Sequence, residues 1–256
     1  MKLLDIFRHN HGIIIACDVK NIKRLEELIK ITYDIEGIAG YKIGSILGLR
    51  YGLPKIVKKI SSHTDLPIIY DHQKLGTDIP EISGGEMLEV CKESGVNAVI
   101  IFPEAGPETL KSTILGSVDP KLKETVKGCF RLGLTPMVGG EMTHKKYLAS
   151  EGGYISNDAP QRIYVDAAKF GVEYFIIPGT KLDKMKNYCL LLEKIVKPNF
   201  LFPGIGKDYQ GGDIKAAFKV VHPHNSYAIV GREIYMAAEP KSVAKKLSEI
   251  ALGEIE

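Results

Sequence analysis

Short apolar runs recur along the chain, each ending in polar or glycine-rich residues and most followed by apolar positions at helical spacing. Ile13-Ile14-Ile15-Ala16-Cys17 stops at Asp18, and Ile22, Leu25, Leu28 and Ile29 then recur every three or four residues, which predicts strand, loop and helix. Gly37-Ile38-Ala39-Gly40-Tyr41 leads into Lys42-Ile43-Gly44, and a second amphipathic stretch passes through Ile56, Val57 and Ile60. Ile68-Ile69-Tyr70, entered from Pro67, predicts a third strand, followed by a helix from about Pro80 through Met87, Leu88 and Cys91 to a C-cap at Gly95. The fourth strand covers residues 98–102, with helices expected over 110–115 and 122–132. A weaker fifth, 135–138, ends at Gly139-Gly140-Glu141-Met142-Thr143-His144, and residues 145–157, with a Gly pair and little periodicity, read as a mobile loop. A helix over 158–171 carries Pro160 in its first turn. The sixth strand, 174–177, gives onto Pro178-Gly179-Thr180-Lys181 and a helix to about Val196. The seventh, 199–202, gives onto Pro203-Gly204-Ile205-Gly206, and the eighth, 227–230, onto Gly231-Arg232, before a last helix over 243–252.

Eight strand-like runs alternating with helices predict an α/β chain with a parallel sheet, and eight is the number at which that sheet closes into a (β/α)8 TIM barrel. A doubly wound open sheet would need a Gly-rich turn after an early strand, and Asp18-Val19-Lys20-Asn21 is not one. No linker divides the chain, so residues 1–256 are expected to form a single barrel domain. In a barrel all strand ends face one mouth, which would gather Asp18, Lys42, Asp71, Lys74, Glu141, Thr143 and Arg232 around one cavity.

Composition narrows the partners. The chain is 45% hydrophobic and 25% charged, with 34 basic against 31 acidic residues and a formal charge of +3. So slight an excess does not advertise nucleic acid, and a small anionic ligand is expected instead. No apolar run approaches the roughly 20 residues of a membrane span, so no membrane partner and a cytoplasmic location are expected. Cys17, Cys91, Cys129 and Cys189 form no Cys-x-x-Cys pair and read as reduced thiols. His222-Pro223-His224 has no partners at metal-ligand spacing and reads as a surface turn, so no metal is expected.

After the third strand, Asp71, Lys74 and Asp78 set two acids around a base. Charges so placed shift one another's pKa and suit proton transfer, although a solvated turn would look the same. The later loops are rich in backbone donors: Gly204, Gly206, Gly211 and Gly212, with Arg232 behind Gly231, suit a phosphate group. Tight turns are the competing reading of these glycines.

Lys42-Ile43-Gly44, the Asp-Lys-Asp-Ile-Pro run, Glu141-Met142-Thr143-His144, Pro203-Gly204-Ile205-Gly206, Gln210-Gly211-Gly212-Asp213 and Val230-Gly231-Arg232-Glu233-Ile234-Tyr235 together resemble the motifs of the orotidine 5′-phosphate decarboxylase family, in the same order and over essentially the whole barrel. The resemblance implies decarboxylation of orotidine monophosphate to UMP in de novo pyrimidine biosynthesis, without metal or organic cofactor, by a homodimer. By analogy Asp18 and Lys42 hold the ribose hydroxyls, Asp71 faces the substrate carboxylate and Lys74 protonates the carbon that CO2 leaves. Asp78 reaches the partner's site, Thr143 contacts the pyrimidine, Gln210 bridges base and phosphate, and Arg232 binds the phosphate among Pro203, Gly204, Gly206, Gly211 and Gly231. The family spacing Asp-x-Lys-x-x-Asp is here Asp71-x-x-Lys74-x-x-x-Asp78, so Lys74 would need a bulge or reshaped loop to face the substrate. Two other readings stand beside it: a Mg²⁺-dependent aldolase resembling hexulose-phosphate synthase, disfavoured because its metal-binding carboxylate sits where Lys42 stands, and a non-catalytic phosphate- or nucleotide-binding barrel.

Overall fold

The structure, a computed structural model, describes residues 5–72, 75–118, 125–206 and 212–253. Its first half runs β1 (His11–Ala16), α1 (Ile22–Thr32), β2 (Ile38–Gly44), α2 (Ser45–Tyr51), α3 (Leu53–Ser61), β3 (Ile68–Asp71), α4 (Pro80–Gly84), α5 (Glu86–Glu93), β4 (Ala98–Ile101) and α6 (Pro107–Leu115). The second half continues with β5 (Ser117–Val118), β6 (Thr125–Val126), α7 (Gly128–Leu132), β7 (Thr135–Gly139), α8 (Ala159–Lys169), β8 (Tyr174–Ile176), α9 (Leu182–Leu192), β9 (Asn199–Phe202), α10 (Ile214–Val221), β10 (Asn225–Val230), α11 (Arg232–Tyr235) and α12 (Pro240–Leu252). Eight strands close into a barrel in the order β1-β10-β9-β8-β7-β4-β3-β2, every neighbouring pair parallel, while β5 and β6 form a separate antiparallel hairpin. The (β/α)8 expectation holds.

Alternation along the strands sorts the apolar residues into two shells. Ile13, Ile15, Val99, Val138, Phe175 and Val230 point out and pack under the helices. Ile14, Ile69, Ile100, Met137, Tyr174, Leu201 and Tyr227 point in and fill the barrel. Phe7 closes the N-terminal floor, its ring 4.2 Å from that of Tyr227 and 5.8 Å from that of Tyr174, so the open end is the one where the strands finish.

A β-bulge sets the phase of the second strand. Ile13 pairs with Ile38 but Ile14 pairs with Gly40, which leaves Ala39 as the extra residue. Ile38 faces out and Ala39 in; after the bulge Tyr41 and Ile43 face out, and Lys42 is delivered to the interior. Unbroken alternation from Ile38 would have turned Lys42 outward.

Three expectations need correction. The helix predicted from Pro80 to Gly95 is two, broken at Gly85 (φ −105°, ψ −115°), and Gly84 is held so close to α6 that a Cβ there would sit 2.6 Å from the Ser112 carbonyl oxygen. The first of the two begins behind Ile79. The helix expected over 122–132 begins only at Gly128, and β6 occupies Thr125–Val126; Gly116 and Gly128, both at positive φ, let the two ends of this excursion meet backbone to backbone. Residues 145–157, expected as a mobile loop, are a loop with structure of its own: Ala149–Glu151 is a 3-10 turn, Leu148 bridges to Ile155, and Tyr147 and Leu148 are buried. In addition α2 lies where no helix was foreseen, and α9 stops at Leu192.

Candidate active site

The open end of the barrel holds a cavity of about 230 Å³ whose wall includes Asp18 after β1, Lys42 on β2, Asp71 ending β3, Thr143 after β7, Pro203 and Gly204 after β9, and Gly231 and Arg232 after β10. Ile100, Phe102, Ile176 and Ile229 form its apolar floor, which strand alternation predicts but which motif reading passed over. A flat, partly apolar ligand carrying an anionic group suits such a wall.

Lys42 is the pivot of the charged side. Its Nζ lies 2.9 Å from Asp71 Oδ2 and 3.7 Å from Asp18 Oδ2, and the lysine is only 8% exposed. Burial opposes the ammonium, but Asp71 and then Asp18 outweigh it and hold the Lys42 pKa above its ordinary value. The charge therefore stays on at neutral pH. Between these two carboxylates the protein already supplies its own cation, so a divalent ion there would be repelled rather than bound. Cys17, next to Asp18, is no nucleophile, because burial and then the Asp18 charge push its thiol far up.

The phosphate-type loop is closed by the backbone. Gly212 N–H donates to the Gly204 carbonyl and Gly206 N–H to the Gly212 carbonyl, both at 3.1 Å. Asp213 caps α10 by accepting from Ala216 N–H at 2.9 Å. Gly204 sits at φ +88° beside the methyl groups of Thr143 and Thr180, a conformation that side chains resist. Gly206 lies off the cavity wall, against Glu233.

Asp78 is also off the wall; its carboxylate accepts from Ile79 N–H and its carbonyl from the Thr109 hydroxyl. Lys74, Gln210 and Gly211 lie outside the described residues. The His72 ring is tilted against Tyr70 at 5.5 Å and the His144 ring stands edge-on to Tyr147 at 5.7 Å, neither on the cavity wall.

One charged cluster escaped sequence reading. Glu141, 1% exposed and on the cavity wall, accepts from Lys181 Nζ at 2.6 Å, from Lys184 Nζ at 2.5 Å and from the Tyr188 hydroxyl. Glu151, from the built loop, accepts from the same two lysines at 3.2 and 3.3 Å. Burial opposes the Lys184 charge, but Glu141 and Glu151 win and raise its pKa. Two cations and two anions thus join β7, the 145–157 loop and α9. The lysines that hold Glu141 are some 40 residues away, and no local spacing announces them.

Residues 12–247 match the model of the Orotidine 5′-phosphate decarboxylase / HUMPS family. The orotidine 5′-phosphate decarboxylase of Pyrococcus abyssi is 30% identical over 244 residues, covering 94% of this chain and 100% of its own. That of Methanosphaera stadtmanae is 27% identical over 241 residues, 93% of this chain and 95% of its own. In fold, the chain is similar to the crystal structure of orotidine 5′-monophosphate decarboxylase from Methanocaldococcus jannaschii complexed with inhibitor BMP, at a TM-score of 0.74 and 23% identity, covering 95% of this chain and 99% of that one.

Proposed function

The chain belongs to the orotidine 5′-phosphate decarboxylase / HUMPS family, and we propose that it converts orotidine 5′-monophosphate to UMP and CO2, as a carboxy-lyase of pyrimidine biosynthesis. The observation that carries this choice within the family is the Lys42 ammonium shared by Asp71 and Asp18 on the cavity wall. A metal-dependent aldol reaction needs that place for its ion.

Decarboxylation at the pyrimidine ring leaves a carbanion with poor resonance relief, so the site must offer preorganised charge and then a proton. In this reading Asp71 faces the departing carboxylate, its position fixed by Lys42, and Lys42 with Asp18 holds the ribose hydroxyls. Lys74 stabilises the carbanion and protonates it. Thr143 contacts the base, Gln210 closes over base and phosphate, and Arg232 pairs with the phosphate beside the backbone of Pro203, Gly204, Gly206, Gly211 and Gly231. No metal or organic cofactor takes part in any step.

The whole chain acts as one barrel domain, and the working unit is a homodimer in which Asp78 serves the partner's site. Two features support the dimer. Asp78 is off the wall of its own cavity, and Ile46 and Leu49 on α2 with Ile79 and Ile82 after β3 are exposed beside neighbouring strand ends, Leu49 at 82%. Apolar side chains so placed are costly in water unless covered. Among the described residues no helix is long and apolar enough to cross a membrane, and the reading places the enzyme in the cytoplasm.

The test is CO2 release from orotidine monophosphate by purified protein, with and without EDTA. Chelator-resistant turnover supports the decarboxylase, metal-requiring turnover of a sugar phosphate would replace it with an aldolase, and tight nucleotide binding without turnover would leave a binding barrel. Lys74→Ala should abolish UMP formation while the thermal melt stays cooperative; near-normal turnover would remove Lys74 from the chemistry.

A further inference from the structure

The His222-Pro223-His224 turn has partners that sequence spacing hides. Cys189 and Glu193 stand one helical turn apart, so their side chains share a face at the end of α9. Residue 224 immediately precedes β10. Among the described residues the Cys189 sulfur, a Glu193 carboxylate oxygen and a His224 ring nitrogen lie mutually within 4.8 Å. We propose that these three residues bind a zinc-class divalent ion on the N-terminal face of the barrel, where it clamps α9 to the entry of β10.

The donor set selects the class. One thiolate, one imidazole and one carboxylate suit a borderline-soft ion of tetrahedral habit, whereas Mg²⁺ and Ca²⁺ favour oxygen alone. A salt bridge would account for Glu193 and His224, whose Oε2 and Nε2 are 3.3 Å apart, but not for a buried thiol converging on the same point.

Two of the donors are held in place. Cys189 is 5% exposed within the outer apolar shell. His224 N–H donates to the Val221 carbonyl and the His224 carbonyl accepts from the Ser226 hydroxyl, both at 3.0 Å, and its ring stands edge-on to Phe200. Glu193, 39% exposed at its side chain, leaves an entry path and room for a water as fourth ligand. Burial and then the Glu193 charge hold the thiol up at about 11, so the ion must displace a proton on binding.

The site lies at the end of the barrel opposite the cavity, since α9 finishes and β10 begins there. It therefore acts on stability, not on turnover. The probes are zinc chloride and cobalt(II) chloride added to the full-length protein after chelator treatment and dialysis. One zinc should bind per chain and raise the Tm, and cobalt should give a near-ultraviolet thiolate-to-metal band. Glu193→Ala and His224→Ala should each weaken zinc binding at least about tenfold and cancel the Tm rise, and Cys189→Ser should also remove the cobalt band. Glu193 is exposed enough that its variant folds in any case. Absence of saturable zinc binding, or affinity unchanged in Glu193→Ala and His224→Ala, overturns the proposal, and so does a cobalt spectrum without a thiolate band. The readouts are binding and melting, so the result stands apart from whether orotidine monophosphate is turned over.

Discussion

Lys42 reaches Asp71 diagonally across two paired strands: its own neighbour in the register is Ile69, while Asp71 stands opposite Gly44. The ammonium lies 2.9 Å from Asp71 Oδ2. Gly44 makes room for the third charge, because a Cβ there would fall 2.5 Å from Asp18 Oδ1.

Gly44→Ala should therefore disturb function more than fold. The Asp18 side chain is 48% exposed and can swing away, so the melt should change little, while KM for the nucleotide rises by roughly tenfold or more as a ribose contact is misplaced. Steady-state kinetics beside a thermal melt checks this. An unchanged KM would take Asp18 out of substrate binding.

Arg232→Ala should weaken a nucleotide monophosphate by about 2–3 kcal/mol, the size of a lost charge-assisted pair in a desolvated site. The matching nucleoside, which has no phosphate, should bind both proteins alike. Calorimetry with the pair of ligands decides, and equal losses for both would move the anion site away from Arg232.

Glu141→Gln leaves two lysines facing a neutral amide. Removing one partner of a buried ion pair costs about 3–5 kcal/mol, but Lys181 and Lys184 are 19% and 35% exposed at their side chains and keep Glu151. A loss of roughly 2–3 kcal/mol in urea unfolding is expected after that discount. No loss would show that solvent, not Glu141, balances the lysines.

Glu26 provides the pH test. Hydrogen bonds from Lys30, then Lys59 and His63, lower its carboxyl to about 2 from 4.5. A depressed carboxylate stabilises the fold above its unfolded pKa, and that contribution fades as pH falls through the folded value. The stability gap between wild type and Glu26→Gln should hold above pH 4.5, close toward pH 2 and shrink in high salt, because the group is at the surface. A gap that is flat across this window would mean that the ties from α1 to Lys59 and His63 are not formed in solution.

The barrel was legible in the sequence because each strand buries both faces, so the requirement for apolar residues is written into consecutive positions such as Ile13-Ile14-Ile15 and Asn199-Phe200-Leu201-Phe202. The site was legible for a related reason: a parallel barrel brings every strand end to one mouth, and a polar residue just past an apolar run, as at Asp18, Asp71 or Arg232, is already placed by topology. What depended on contact between distant residues was not. The bulge at Ala39 that turns Lys42 inward, the Gly116–Gly128 meeting just where the predicted helix starts late, the lysines behind Glu141 and the cysteine beside His224 are all set by packing between segments. Hydrophobic periodicity is a local constraint that each segment obeys alone, whereas a bulge, a buried ion pair or a converging set of donors takes its energy from a partner that only the closed barrel brings near.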